Sequence, residues 1–181
     1  LRNKKINILE IGSYAGASAA AFVKYLPNSK IFCFDINISN FKYESKNIHV
    51  FGIDIKNLDN IKKKLNFLSK KFQINFFDII IDDGSHNLDD ILISLNYFFN
   101  FLKSDGLYII EDFKHPNYYK YNKNIDHILV NEVLNNLKSK KKFNSSIFSK
   151  KDQIKMINEI KDINMERGAL KDSDICFIKK N

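Results

Sequence analysis

Ile6-Asn7-Ile8-Leu9-Glu10-Ile11-Gly12-Ser13-Tyr14-Ala15-Gly16-Ala17-Ser18 reads as a strand that runs into a glycine-containing turn and then into a helix. Residues 6–11 form a nearly continuous apolar run, the pattern of a strand buried on both faces. Gly12 and Gly16 permit a tight turn and a close approach of backbone to a ligand. Residues 18–26 then read as a helix stopped by Pro27. Strand, turn and helix in this order are the half-unit from which parallel sheets are built.

The same alternation continues along the chain. Strands are expected at 30–36, 47–52, 76–81 and 107–110. Helices are expected at 57–71, where Leu58, Ile61, Leu65 and Leu68 share one face, then at 88–102, 126–138 and 152–157. Asp105-Gly106 reads as a turn between the 88–102 helix and its strand. Two last strands, near 160–167 and 174–179, are separated by Gly168 and too little chain for a crossover helix, so they should pair as an antiparallel hairpin. The fold expected is α/β: a Rossmann-like, doubly wound, mostly parallel seven-stranded sheet with helices on both faces and a C-terminal antiparallel hairpin. Residues 138–149, with Lys138, Lys140, Lys141 and Lys142, read as a mobile basic surface segment.

The 181 residues are 44% hydrophobic and 28% charged, the balance of one globular domain spanning 1–181. Disorder, collagen and coiled coil are excluded. No apolar run approaches the roughly 20 residues that cross a bilayer. No signal-peptide pattern is present, so a cytoplasmic location is expected. Cys33 and Cys176 sit in apolar stretches without a CxxC or a Cys/His cluster, and read as buried thiols. The net charge is +8, but only Arg2 and Arg167 are arginines. Lysine-dominated charge reads mainly as solvated surface.

Ligands of open parallel sheets bind at the carboxyl ends of the strands. After the first strand, the Gly12–Gly16 turn is either a plain tight turn or a cradle in which helix N–H groups meet an anion. It is not the dinucleotide fingerprint, because Tyr14 stands where the second glycine belongs. After the second strand, Asp35 is placed to accept ribose hydroxyls, or is simply a solvated strand end. Asp54, after the third, could reach an adenine edge or make an ordinary turn.

Asp82-Asp83-Gly84-Ser85-His86 closes the fourth strand, and Glu111-Asp112 closes the fifth. If those strand ends are neighbours, four carboxylates crowd one cleft beside a histidine. Such crowding needs protons or a cation, and hard oxygen donors without cysteine select Mg²⁺, Ca²⁺ or Mn²⁺. Alternatively, Asp82 or Asp83 caps the following helix. His86 is a candidate general base. His49 and His127 have no such company and read as structural or exposed. His115, with Tyr118 and Tyr119, could line a substrate pocket.

These motifs resemble class I S-adenosylmethionine-dependent methyltransferases. The 10–18 segment is similar to the first motif of catechol O-methyltransferase-like enzymes. The 81–86 and 107–112 segments resemble metal-dependent sugar O-methyltransferases of the macrocin and mycinamicin types, and cephalosporin hydroxylase-like proteins. The resemblance implies that Gly12, Ser13, Gly16 and Ser18 cradle the methionine portion of S-adenosylmethionine, with Glu10 supporting the loop. It implies Asp35 on the ribose, Asp54 near adenine and Asp82 on the methionine side. Asp83, Glu111 and Asp112 would hold Mg²⁺, and His86 would take the acceptor proton. The N-terminal lid usual in relatives is expected to be absent or trimmed. The acceptor implied is a small hydroxylated molecule such as a sugar or sugar nucleotide, with no membrane partner and a homo-oligomer as an open option. An RNA methyltransferase, motivated by the charge, and a cofactor-binding module without turnover are the competing functions.

Overall fold

The computed structural model describes residues 3–119, 128–170 and 173–181. In chain order the elements are β1 (Asn7–Ile11), α1 (Ala17–Tyr25), β2 (Lys30–Asp35), β3 (Ile48–Gly52), α2 (Leu58–Phe72), β4 (Phe77–Asp82), α3 (Leu88–Phe98), β5 (Leu102–Ile110), α4 (His115–Tyr118), α5 (Val130–Lys138), α6 (Lys150–Glu159), β6 (Ile160–Glu166) and β7 (Ile175–Lys180). The seven strands form one sheet in the order β3-β2-β1-β4-β5-β7-β6. β1 to β5 pair in parallel, and β7 runs antiparallel to both β5 and β6. The expected sheet and its antiparallel C-terminal hairpin are therefore present.

Strand order reverses direction between β1 and β4, which opens a crevice at their carboxyl ends. The strands are held in register right up to that edge. Gly12 N–H donates to Phe34 O (2.8 Å), Asp83 N–H to Ile11 O (2.9 Å) and Glu111 N–H to Asp82 O (2.9 Å). Every loop that follows β1, β2, β4 or β5 thus leaves from a fixed point on one line.

The larger core lies between the sheet and α2, α3, α5 and α6, with Phe32, Phe34, Phe77, Ile80, Phe98 and Tyr108 at its centre. A smaller core packs α1 against Ile8, Ile31, Cys33 and Ile81. Helices lie on both faces of the sheet, as expected: α1 on one, and α2, α3, α5 and α6 on the other. Among the described residues, α1 lies most closely over β2 and β3. Beyond it, Leu107, Ile175 and Phe177 belong to neither core and are half-buried. The strands are apolar on both sides, so the sequence pattern gave no sign of this asymmetry.

Local boundaries moved where long-range pairing overrode local periodicity. The helix expected to reach residue 102 stops at Phe98 and tightens into one 3-10 turn, because Leu102 pairs with Phe77 in the sheet. Asp105-Gly106 is not a connecting turn but an irregularity inside β5, with Asp105 at φ 57°. The 138–149 segment is also tied down. The Gln153 side chain accepts from Phe143 N–H (2.9 Å) and donates to Phe143 O (2.9 Å) and Phe148 O (3.1 Å), and Phe148 is buried in the larger core. No described helix is long and apolar enough to cross a membrane.

Candidate active site

The turn after β1 is shaped by contact as much as by flexibility. Gly12 sits at φ 82°, and a Cβ there would lie 2.1 Å from the Asp83 carbonyl oxygen. The backbone after β1 and the backbone after β4 therefore touch, which only glycine allows. Gly16, at φ 79°, opens α1 and packs against the Phe41 ring. Between them, Tyr14 is held at φ 42° with its ring 69% exposed. Its N–H donates to Asp35 Oδ2 (2.8 Å), and Asn37 N–H donates to Asp35 Oδ1 (2.8 Å). Asp35 thus ties the β1 turn to the β2 turn. Asp54 makes the ordinary turn as well, accepting Lys56 N–H at 2.9 Å.

These loops enclose a cleft of about 300 Å³. Its walls include Gly12, Tyr14, Asp35, Asp54 and Asp83, together with apolar Phe34, Ile36, Ile53 and Ile55. Ser13 is buried beside the turn, and its Oγ has no hydrogen-bond partner among the described residues. Glu10 is buried on β1, where its carboxylate accepts from the Cys33 thiol (3.7 Å). Ser18 is exposed on the first turn of α1 and is not among the cleft walls.

Asp82 and Asp83 are adjacent, so their side chains leave β4 on opposite faces. Asp82 turns to the α3 side. It is 3% exposed, beside Ser94, and burial pushes its carboxyl up to about 7. Asp83 turns to the mouth of the cleft, where burial and then the charges of Glu111 and Asp112 push it up to about 7. Glu111 is raised by burial and by Asp112. His86, in the left-handed region at φ 54°, places Nε2 3.6 Å from Asp83 Oδ1 and 3.8 Å from Asp112 Oδ2. Asp112 is itself left-handed at φ 50°. The ring of His115 lies 5.5 Å from that of His86 and stacks on Tyr119 at 4.2 Å. His115 and Tyr119, from the segment expected to line a substrate pocket, therefore lie beside His86.

The structure brings Asp83, Asp112 and His86 to one rim, with Glu111 close enough to raise Asp83. It does not gather the expected ligands around one point. Among the described residues, no group of three His, Cys, Asp or Glu side chains is arranged to hold a metal ion. The donor set nevertheless suits a hard divalent cation, since it is all carboxylate oxygen and carries negative charge that burial leaves poorly compensated. Of the other histidines, His49 is packed between Phe32 and Phe72, and burial lowers its pKa. His127 lies outside the described residues.

Sequence reasoning missed one part of the site. Asp90, on the first turn of α3, reaches the cleft wall, where it accepts the Ser85 hydroxyl and pairs with Lys56 Nζ at 3.0 Å. No local pattern signals a contact that spans 34 residues, although an acidic pair at a helix start was visible.

No family model matches the chain. Two curated proteins are similar to it. The mycinamicin VI 2″-O-methyltransferase of Micromonospora griseorubida is 29% identical, over 61% of this chain and 28% of the relative. The demethylmacrocin O-methyltransferase of Streptomyces fradiae is 29% identical, also over 61% and 28%. The match thus spans little more than a quarter of either relative. Among solved structures, the MycE methyltransferase from the mycinamycin biosynthetic pathway, in complex with Mg, SAH and mycinamycin VI, superposes with a TM-score of 0.70 at 18% identity, covering 99% of this chain and 46% of that one. A Plasmodium falciparum protein assigned as a ribosomal RNA methyltransferase gives 0.64 at 18% identity, over 100% and 88%. The fold is that of the class I S-adenosylmethionine-dependent methyltransferases, and the resemblance read from the glycine turn and the acidic loops is met by relatives of the mycinamicin and macrocin O-methyltransferase type.

Proposed function

We propose that residues 1–181 form one S-adenosylmethionine-dependent O-methyltransferase domain that uses Mg²⁺. Its acceptor is a hydroxyl of a sugar, a sugar nucleotide or another small metabolite, in glycan or natural-product biosynthesis in the cytoplasm. The observation that carries this reading is the rim of Asp83, Asp112 and His86 set beside a glycine-turn cleft. The similarity to sugar O-methyltransferases supports the acceptor class.

The cleft suits the cofactor. Ser13 Oγ is a buried hydroxyl without a partner, next to the N-terminus of α1, whose first-turn N–H groups can meet a carboxylate. Gly12, Ser13, Gly16 and Ser18 would bind the methionine portion, Asp35 the ribose, and Asp54 with Ile53 and Ile55 the adenine. Glu10 supports the turn from below. Asp82, turned away from the cleft, acts on the methionine side through the backbone it anchors.

Bound S-adenosylmethionine would supply the methyl group, and Asp83, Glu111 and Asp112 would hold a Mg²⁺ that would lower the pKa of the acceptor hydroxyl. His86 Nε2 accepts that proton. His115 and Tyr119 stack beside His86 and would line the acceptor pocket. Positioning by the rim contributes the rest, because the acceptor oxygen must lie in line with the sulfonium methyl.

The net charge of +8 is the observation that favours RNA as acceptor instead. The acidic rim opposes it, since phosphates would be repelled at the reacting end. Calorimetric titration with S-adenosylmethionine, followed by transfer of labelled methyl to a panel of sugars, sugar nucleotides and RNA, separates the readings. Micromolar binding with chelator-sensitive transfer to a small acceptor is expected. Transfer to RNA alone, or transfer indifferent to EDTA, defeats the acceptor or the metal assignment respectively.

A further inference from the structure

Lys56 closes a bridge between the two ends of the candidate site. It follows the cleft walls Ile53, Asp54 and Ile55, and its backbone is fixed by the Asp54 turn. Its Nζ lies 3.1 Å from Asp89 Oδ2 and 3.0 Å from Asp90 Oδ1, on the first turn of α3. Asp90 is 8% exposed, and its other oxygen accepts the Ser85 hydroxyl and the Asn87 amide (3.4 Å). Ser85 immediately precedes His86, the residue held in the left-handed region. Asn87, the N-cap of α3, makes no side-chain cap of its own, so Asp90 is what anchors this loop to the helix.

An exposed ion pair by itself contributes little. This one differs because it neutralises a nearly buried carboxylate, and that carboxylate holds the loop carrying the base. We infer that Lys56 is a positioning residue: through Asp90 and Ser85 it sets the placement of His86 and links that placement to occupancy of the cleft. The link to occupancy rests on the cofactor reading above; the placement of His86 does not.

The test uses the whole chain with labelled histidine, and reads imidazole NMR signals and binding of S-adenosylhomocysteine. In the ligand-free protein, Lys56→Met should move the His86 signals and leave those of His49 in place, while Lys56→Arg should keep the wild-type spectrum. Lys56→Met should also weaken S-adenosylhomocysteine about tenfold, the size of an ordinary coupling between sites, and Lys56→Arg should not. A folded Lys56→Met protein whose His86 signals match wild type overturns the inference, whatever it binds. Wild-type protein that ignores S-adenosylhomocysteine overturns the cofactor reading and the occupancy link, while the ligand-free spectra still decide the placement of His86.

Discussion

The two halves of the cleft mouth are built on opposite principles. At the ends of β1 and β2, backbone does the work: Gly12 is pressed against the Asp83 carbonyl, and Asp35 accepts two N–H groups from neighbouring turns. Polar groups there are mostly paired, and the shape is settled without a ligand. At the ends of β4 and β5, buried charge does the work: burial, and then neighbouring carboxylates, raise the pKa of Asp83 and Glu111, and His86 and Asp112 both sit at positive φ. One half is a pre-formed cradle. The other holds unfavourable charge in place, which is the usual condition of a site that must bind a cation or move a proton.

The comparison breaks most visibly at the contact between the halves. Gly12→Ala places a Cβ within 2.5 Å of three backbone atoms at a φ that disfavours side chains. A loss of about 3 kcal/mol or outright misfolding is expected, read as the urea midpoint. Gly52→Ala is the control, since nothing lies within 4 Å of its added Cβ; it should stay within about 0.5 kcal/mol. If both behave alike, the halves are not locked together by backbone.

One cysteine lies under each half. Cys33 touches Glu10 beneath the cradle, and Cys176 on β7 pairs with Ile110 beneath the rim. Burial pushes both thiols up to about 12. A raised pKa keeps the thiol protonated as pH rises, so native alkylation at pH 8 should run about a thousandfold slower than in guanidinium. The rate should still climb beyond pH 9 instead of levelling off near the ordinary thiol value. Early labelling of Cys176 alone, levelling near that value, would mean that the rim half opens on its own.

Next come the groups that act. His86→Ala should lower kcat about a hundredfold or more while S-adenosylhomocysteine binds as before, measured by single-turnover transfer and calorimetry. Asp83→Asn should also cut turnover, yet raise the urea midpoint of the metal-free protein, because it removes one of the repelling charges. A variant that loses both activity and stability would mean the rim is not strained by charge, and the contrast with the cradle would fall.

How much of this could be read from the chain depends on the range of the interaction. β4 and β5 were legible as neighbours because two apolar runs end in acids, and a parallel sheet aligns such ends. The Gly12 turn was legible as a turn, but the reason for its glycine was not, since that reason is Asp83, 71 residues away. Asp35 and Asp54 were legible as strand-end acids; that both cap backbone N–H groups depends on loop shapes set by tertiary contacts. Asp82 and Asp83 were legible together as strand-end acids, but not which of them meets the rim. Alternation along a strand sends neighbours to opposite faces, so Asp82 and Asp83 could not both face the rim, and the sequence does not say which one does.

The smallest expected effect tests the cradle itself. Ser13 and Ser18 entered on equal terms as cofactor ligands, yet their settings differ. Ser13 Oγ is buried without a partner, so it carries an unmet hydrogen bond that a carboxylate at the turn would satisfy. Ser18 is exposed as the second residue of α1, where its hydroxyl is open to solvent. Ser13→Ala should therefore weaken S-adenosylmethionine about tenfold, the loss of a hydrogen bond to a charged group. Ser18→Ala should change it less than about twofold, within the range of an exposed surface substitution. The reverse order would place the ligand's carboxylate over the N-terminus of α1 and not in the Gly12–Gly16 turn. The pre-formed half of the site would then be the helix end, with the glycine turn serving only to join β1 to it.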